Sequence, residues 1–333
     1  MPSDEIKSTI FLTVQKYLND TPLLLAGTGL SIPAEIPGMQ QLAEHLQKTL
    51  NKKYKTDTTW SKISENLSNG IDLESALTDI TIEEVLLSDI IKSTWSLVTD
   101  ADLQFFHEKV IQYKSQALCT LLQKLTATCF ESLNIITTNY DRYIEYCCDM
   151  CNFSLDNRFL GMYLKSAASD EPKAKDVINL FKVHGSLDTF YNIETKESVC
   201  IPLQKNIPNG FIPQIVTPGS NKFKMILETD TYRWMLYFAD KAINNAKCYL
   251  CIGYGFNDSQ IQERIITNIK SGKPIVVVTK SLRDESLALL NDNAKNYVVI
   301  LDSGNGKTRF IIDKTEYELD GEYWNLEHFL KII

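Results

Sequence analysis

The sequence predicts an α/β protein: a parallel sheet with helices on both faces plus an inserted helical module. Three observations carry this. Short, continuously apolar segments such as Leu23-Leu24-Leu25-Ala26 and Ile275-Val276-Val277-Val278 have the composition of strands buried on both faces. These segments alternate with stretches of helical periodicity, the pattern of a parallel sheet wrapped by crossover helices. Between residues 60 and 130 almost no strand signal occurs, so a block of helices stands after the first strand–helix unit.

In order, Ile6, Ile10, Val14 and Tyr17/Leu18 recur at helical spacing over 6–18, and Thr21-Pro22 ends that helix. The strand at 23–26 runs into Gly27-Thr28-Gly29, and Pro33 and Pro37-Gly38 mark an irregular segment before a helix at 40–50. Leu73, Leu77 and Ile80, then Val85, Leu86 and Ile90, fit helices. Residues 105–129 fit one or two long helices with Val110, Tyr113, Ala117, Leu121 and Leu125 on one face. A strand at 133–138, a helix at 143–153, a polar mobile loop at 154–176 and a strand at 177–183 come next. Pro202, Pro208, Pro213 and Pro218, with Gly210 and Gly219, make 187–227 extended connections with short strands. Then follow a helix at 232–245, a strand at 249–253 and a helix capped by Asn257 or Asp258. Strands at 275–278 and 298–301 and a short helix at 326–333 complete the pattern. The division implied is a sheet domain from 1–45 and 131–333, with a helical module at 46–130.

A chain of 333 residues, 44% of them hydrophobic, suffices for one large domain carrying an insertion, or for two modest ones. With 42 acidic against 34 basic residues the net charge is −8, which argues against binding nucleic acid through the protein's own field. A local basic pocket for a dinucleotide stays open. The start of the chain has neither a basic nor an apolar leader pattern, and no apolar run approaches the ~20 residues that span a bilayer. The expectation is a cytoplasmic protein whose eight cysteines are thiols. Cys148/Cys151 and Cys248/Cys251 have zinc-like spacing. On a strand, however, side chains three apart face opposite ways, and on a helix beside Tyr146 and Met150 a thiol packs as a small hydrophobe. No metal site is expected. His45, His107 and His328 fall on helical patterns as surface or core residues, and Lys222-Phe223-Lys224 reads as a solvated loop.

Four segments carry the chemistry: Ala26-Gly27-Thr28-Gly29-Leu30-Ser31, Thr137-Thr138-Asn139-Tyr140-Asp141, Val183-His184-Gly185-Ser186 and Gly253-Tyr254-Gly255. Each lies just after a strand. In open parallel sheets ligands bind at the carboxyl ends of strands, so the four would share one crevice. Gly27 and Gly29 form only part of a dinucleotide fingerprint, because Ile32 stands where its third glycine belongs and Pro33 and Pro37 intervene before a helix. That disfavours a nicotinamide dehydrogenase. Plainer roles exist for each: a strand-to-loop turn at Gly27, a backbone contact for His184, and helix caps for Asn139-Tyr140-Asp141 and Asp258. Capping does not exclude chemistry.

Gly27-Thr28-Gly29-Leu30-Ser31, with Ile36-Pro37 at the right interval, resembles the nucleotide loop of the sirtuin family. Asn139-Tyr140-Asp141 resembles that family's Asn-Ile-Asp, His184-Gly185 its catalytic His-Gly, and Gly253-Tyr254-Gly255 its later glycine turn beneath the adenosine half. The resemblance runs in islands from about residue 20 to 280. It implies a Rossmann-like domain with NAD as substrate, Asn139 and His184 catalytic, and Ala26, Gly27, Gly29, Ser31, Asp141, Gly253, Tyr254, Gly255 and Asp258 binding it. Departures are equally informative. Only Cys200 stands where sirtuins carry a four-cysteine zinc ribbon, and Met39 and Gln40 replace an aromatic and an Arg. With the helical block, these features look like the sirtuin-like NADase branch of bacterial anti-phage defence proteins, which degrade NAD on infection. That branch implies no zinc, a homo-oligomer and, in one variant, a HerA-type hexameric ATPase partner.

The chemistry suits a sparse site. Nicotinamide leaves ribose as a neutral molecule and needs no general acid, so one of the two usual glycosidase carboxylates is dispensable. Asn139 offers a donor and an acceptor to ribose hydroxyls or water, and His184 can take a proton near neutral pH. By resemblance, Asp141 faces the nicotinamide amide, and Ser31 lies near the nicotinamide ribose or phosphates. The leading expectation is an NAD+ glycohydrolase. The alternatives are an NAD-dependent protein deacylase and a non-catalytic module that senses NAD or ADP-ribose.

Overall fold

The computed structural model describes residues 3–78, 80–127, 132–173, 175–202, 204–217, 230–256 and 258–333. Helix α1 (Ser3–Tyr17) leads into strand β1 (Leu23–Ala26) and a helical turn α2 (Thr28–Ser31). Helices α3 (Met39–Leu50), α4 (Thr58–Ser68), α5 (Leu73–Leu77), α6 (Glu84–Phe105) and α7 (Ala117–Thr126) follow. Strand β2 (Ser132–Thr137) and helix α8 (Tyr143–Met150) return the chain to the sheet. Next come β3 (Leu155–Asp156), β4 (Phe159–Leu160), β5 (Lys165–Ala167), β6 (Val177–Lys182), β7 (Gly185–Asn192), β8 (Ser198–Cys200) and β9 (Phe211–Ile215). The remainder alternates α9 (Asp230–Asn245), β10 (Tyr249–Ile252), α10 (Ser259–Ser271), β11 (Ile275–Val278), α11 (Asp284–Asn293) and β12 (Tyr297–Gly304). The hairpin β13 (Lys307–Ile312) and β14 (Thr315–Asp320) and the short helix α12 (Leu326–Phe329) come last. Among the described residues no helix is long and apolar enough to cross a membrane.

The α/β class holds. The large sheet has the order β14-β13-β12-β11-β10-β1-β2-β6-β3, parallel from β12 through β3, with β13 and β14 added antiparallel at one edge. Strict alternation along the strands builds two cores. Leu24, Ala26, Ile135, Leu180, Leu250, Val276 and Val298 face one side, where α1, the second half of α6, α7, α8 and α12 pack. Leu25, Ile136, Phe181, Cys251, Val277 and Val299 face the other, covered by α9, α10 and Leu290 of α11. Both faces are thus sealed, which is why these strands read as unbroken apolar runs. A third cluster joins Leu42, Leu46 and Leu50 of α3 to Trp60, Ile63, Leu73, Leu77 and the first half of α6. Helix α6 therefore begins in the helical block and ends on the sheet. The antiparallel sheet β4-β5-β8-β7-β9 forms no ladder with the large one, and its Leu187, Phe190, Val199 and Ile215 pack into the first core.

Several expectations need correction. The 154–176 segment is not an unstructured loop, because β3 extends the large sheet beyond β6 and β4 and β5 pair in the small one. Of the one or two long helices expected over 105–129, the described residues form two helical pieces that share no continuous apolar face. Helix α6 ends in a π-type turn over Phe106–Val110, Tyr113 takes a left-handed φ of +51° and is exposed, and α7 starts afresh at Ala117. Helix α8 stops at Met150, where the Cys151 amide closes back on Cys147 and Cys148. Gly27 is followed at once by α2 and a 3-10 turn over Ile32–Ala34, in whose first turn Pro33 needs no amide. Helix α11 and the hairpin β13/β14 had no counterpart in the sequence reading. The turns at Asn305-Gly306 and Asp313-Lys314 were the available signal for the hairpin. Cys129, Pro218, Gly219, Lys222-Phe223-Lys224 and Asn257 lie outside the described residues.

Trp60 is buried at the centre of the third cluster, with its indole N–H donating to Asn51 Oδ1 at 2.8 Å. Trp60→Ala should cost about 3–5 kcal/mol in denaturant unfolding. Amide exchange should then accelerate in 39–90 before it does in β10 and β11. Uniform acceleration across both regions would show that block and sheet unfold as one unit.

Candidate active site

The carboxyl ends of β1, β2, β6 and β10 lie at one level of the sheet. Ala26 pairs with Ile252 on one side and Thr137 on the other, and Thr137 pairs with Lys182. All four chemistry-bearing segments leave the sheet from these positions. The first and last meet directly, because the Gly27 amide donates to Ile252 O at 3.0 Å and the Gly29 amide to Gly253 O at 3.1 Å. A Cβ on Gly27 would lie 2.3 Å from Gly253 O, and one on Gly29 2.6 Å from Gly253 Cα. Gly253 itself has φ +58°, and its Cβ would lie 2.4 Å from Gly29 Cα. Two backbone turns therefore touch where side chains cannot fit.

That contact delivers Ser31, at the end of α2, to the β2–α8 loop. Ser31 Oγ donates to Asp141 Oδ1 at 3.0 Å and accepts from Asn139 Nδ2 at 3.0 Å. Asn139 Nδ2 also donates to Gly27 O at 2.9 Å. The Gly27 carbonyl can only accept, which assigns Nδ2 to that side and turns Asn139 Oδ1 the other way. Asn139 Oδ1 is buried and has no hydrogen-bond partner among the described residues. An acceptor anchored in this way is able to take a hydrogen bond from a hydroxyl or water. Asp141 Oδ1 accepts in addition from the Tyr143 amide at 3.1 Å, so the capping role foreseen for this segment coexists with its place in the cluster. Burial pushes the Asp141 carboxyl above the ordinary Asp range, and Lys182 pulls it back.

His184 follows β6 at a locked turn. Its carbonyl accepts from the Val216 amide at 2.8 Å, and Gly185 has φ +83°, with a Cβ position 1.9 Å from Gln214 O. His184 Nε2 lies 2.7 Å from Asp258 Oδ2, and Asp258 Oδ1 accepts from the Ile261 amide at 3.2 Å as the cap of α10. Asp258 thus caps a helix and holds an imidazole at once. Sequence alone marks both residues and does not pair them. Tyr254 is buried with its ring edge-on to Phe256 at 5.1 Å.

Beneath the 139–141 loop lies a group of buried charges that the sequence reading missed. Lys182 Nζ donates to Tyr140 O at 3.2 Å, to Asp141 O, and to Glu145 Oε1 at 2.8 Å. Asp102 of α6 receives the Arg142 amide at 2.8 Å, the Arg142 guanidinium and the Tyr146 hydroxyl at 2.7 Å. Asp188 of β7 is half-buried nearby, and Lys182 and Arg142 hold it below the ordinary Asp range against the cost of desolvation. Burial pushes the Glu145 carboxyl up to about 7, with Lys182 opposing and Asp188 reinforcing. A lysine at the end of an apolar strand and an aspartate on an apolar helix face were the only hints in the sequence. Cys248 and Cys251 are buried at β10, and Cys147 and Cys148 are buried on α8. Among the described residues no three His, Cys, Asp or Glu side chains form a group that could hold a metal ion.

Gly253→Ala forces both a left-handed alanine and a backbone overlap, and should cost about 2–4 kcal/mol in denaturant unfolding. A loss below about 0.5 kcal/mol would mean that the two turns can separate freely. The raised Glu145 gives a pH test. Between its ordinary value of 4.5 and about 7 the folded protein holds more protons there than the unfolded chain, so stability falls as pH rises through that window. Glu145→Gln removes this slope. Its stability relative to the parent should shift in the variant's favour by about 1–3 kcal/mol between pH 4.5 and about pH 8. A gap that does not move with pH would contradict the raised carboxyl.

Residues 133–298 match the family model of the SIR2-like domain. Among solved structures, one from work on the mechanism and regulation of Sir2 enzymes is similar over 97% of this chain and 96% of its own, at 10% identity and a TM-score of 0.48. A Sir2 complex with a p53 peptide and NAD+ is similar over 83% of this chain and 86% of its own, at 14% identity and a TM-score of 0.40. A structure addressing sirtuin substrate affinity is similar over 83% and 87%, at 15% identity and a TM-score of 0.41. No curated protein matches this chain. The matched span, just under half of the chain, holds the 139–141 loop, the His184-Gly185 turn and Asp258, and the match supports a sirtuin-like domain there.

Proposed function

We propose that this chain is an NAD+ glycohydrolase, converting NAD+ and water to nicotinamide, ADP-ribose and a proton. The observation that carries the reading is the unpaired buried Oδ1 of Asn139, whose amide nitrogen is anchored on Gly27 and Ser31. An acceptor fixed in that way suits a ribose hydroxyl or the attacking water. The close-packed turns at Gly27, Gly29 and Gly253 suit a pyrophosphate that needs bare backbone, with Ala26, Tyr254, Gly255 and Asp258 around it. Ser31 and Asp141 complete the nicotinamide-ribose end.

The C1′–N bond breaks with its electron pair going to nicotinamide, which leaves neutral, and an oxocarbenium-like ribose remains. Water adds at C1′ and its proton passes to the pair of His184 and Asp258, the carboxylate orienting the imidazole and stabilising its charged form. The lack of a four-cysteine ribbon after His184 supports hydrolysis over acyl-lysine chemistry. On the sequence resemblance we further propose a cytoplasmic, self-associating defence effector that depletes NAD and is controlled by a HerA-type ATPase, with 46–130 as its regulatory helical module.

Chromatography of NAD+ incubated with the purified chain tests the reading. Nicotinamide and ADP-ribose should appear, and Asn139→Ala and His184→Ala should each lower turnover by about 10²–10⁴-fold while remaining folded. Wild-type turnover in both variants would remove the site assignment. Nicotinamide release only in the presence of an acetylated peptide would make the chain a deacylase. Bound NAD+ recovered intact, with the candidate partner present, would make it a sensor.

A further inference from the structure

Resting on that reading of the site, we propose that Lys182 and Asp102 are positioning residues, a two-sided clamp that sets the loop bearing Asn139 and Asp141, and that α6 thereby belongs to the active site's frame. A loop between a parallel strand and a helix leaves backbone groups that neither ladder nor helix satisfies. Here those groups fall at 140, 141 and 142. Lys182 takes two from below: its three ammonium donors go to Tyr140 O at 3.2 Å, Asp141 O, and Glu145 Oε1 at 2.8 Å. Asp102 takes the third from the side, accepting the Arg142 amide at 2.8 Å on Oδ1 while Oδ2 gathers the Arg142 guanidinium and Tyr146 hydroxyl.

The same helix braces the second half of the site. Trp95, about two turns before Asp102 on α6, donates its indole N–H to Leu187 O at 2.8 Å, just past the His184-Gly185 turn. The Leu187 amide in turn donates to Tyr140 O at 3.0 Å, the carbonyl that Lys182 also holds. One helix of the block between β1 and β2 is thus bonded to both segments that supply the proposed catalytic groups. Stability alone does not explain the charges, because a well-packed apolar set in their place is often as stable or more so. Apolar groups cannot hold two carbonyls and an amide at fixed separations.

The test uses the full chain in two forms. Lys182→Met combined with Glu145→Gln removes the ammonium together with its ion-pair partner and leaves Arg142 beside Asp188, and Asp102→Asn weakens the other arm independently. Steady-state NAD+ turnover and amide exchange at 139–142 and 185–187 are measured on variants whose melting is cooperative. Mispositioning should lower kcat by about 10–100-fold with KM within about threefold, and speed exchange at 139–142 at least tenfold while β10 and β11 stay protected. Parental kcat and parental exchange in either folded variant would overturn the clamp. If the parent chain releases no nicotinamide, the functional reading fails by itself. Exchange at 139–142 then decides the clamp alone: acceleration upholds it, and no change rejects it.

Discussion

Everything at the site depends on the contact between two glycine turns, one leaving β1 and one leaving β10. With Gly27 and Gly29 pressed against Gly253 backbone to backbone, α2 starts immediately beneath the neighbouring strand end. Ser31 then falls within hydrogen-bond reach of Asn139 and Asp141. On the far side, the left-handed Gly253 redirects the chain so that Asp258 opens α10 facing His184. A Cβ at Gly27, Gly29 or Gly253 would meet backbone of the opposing turn at 2.3, 2.6 or 2.4 Å and would force the two turns apart.

Charge is handled differently above and below the loop that carries Asn139. Above it, the polar atoms are few: Ser31, Asn139, Asp141 and the pair of His184 and Asp258. Below it, Lys182, Arg142 and Asp102 are buried and Glu145 and Asp188 are largely covered, so an unpaired charge there would be costly. Each has a partner of opposite sign, and together they bond three consecutive backbone positions. The low dielectric that makes such a group expensive also makes its geometry stiff. A rigid floor fixes the Asn139 amide with its nitrogen anchored on Gly27 and Ser31.

This division accounts for how little catalytic equipment the site carries. Under the proposed hydrolysis of NAD+ the leaving group departs as a neutral base, so no acid is required, and what remains is to hold a ribose, a water and a proton acceptor in register. Placement matters more than reactivity. The placement here comes from strand ends at one level, from turns that only glycine permits, and from a helix that extends from the separate cluster around Trp60 onto the sheet.

The sheet's central strands were legible because burial on both faces writes an unbroken apolar run, as at 23–26 and 275–278. The four polar segments were legible because each follows such a run, and a parallel sheet gathers strand ends. Edge structure was not legible: β3, β4 and β5 are only two or three residues long, and they become strands only because β6 and β8 offer ladders to β3 and β5, and β5 in turn to β4. The interruption at Tyr113 was also hidden, since its apolar periodicity continues through a residue whose backbone turns left-handed. By itself the sequence determined the fold class, the strand order of chemistry along the chain and the residue types at the strand ends. Only the tertiary structure decided that Asp258 pairs with His184, that Ser31 joins Asn139 to Asp141, and that Lys182 and Asp102 grip the loop between them. Those contacts join residues 40 to 110 positions apart, and their geometry follows from packing, which local pattern does not encode.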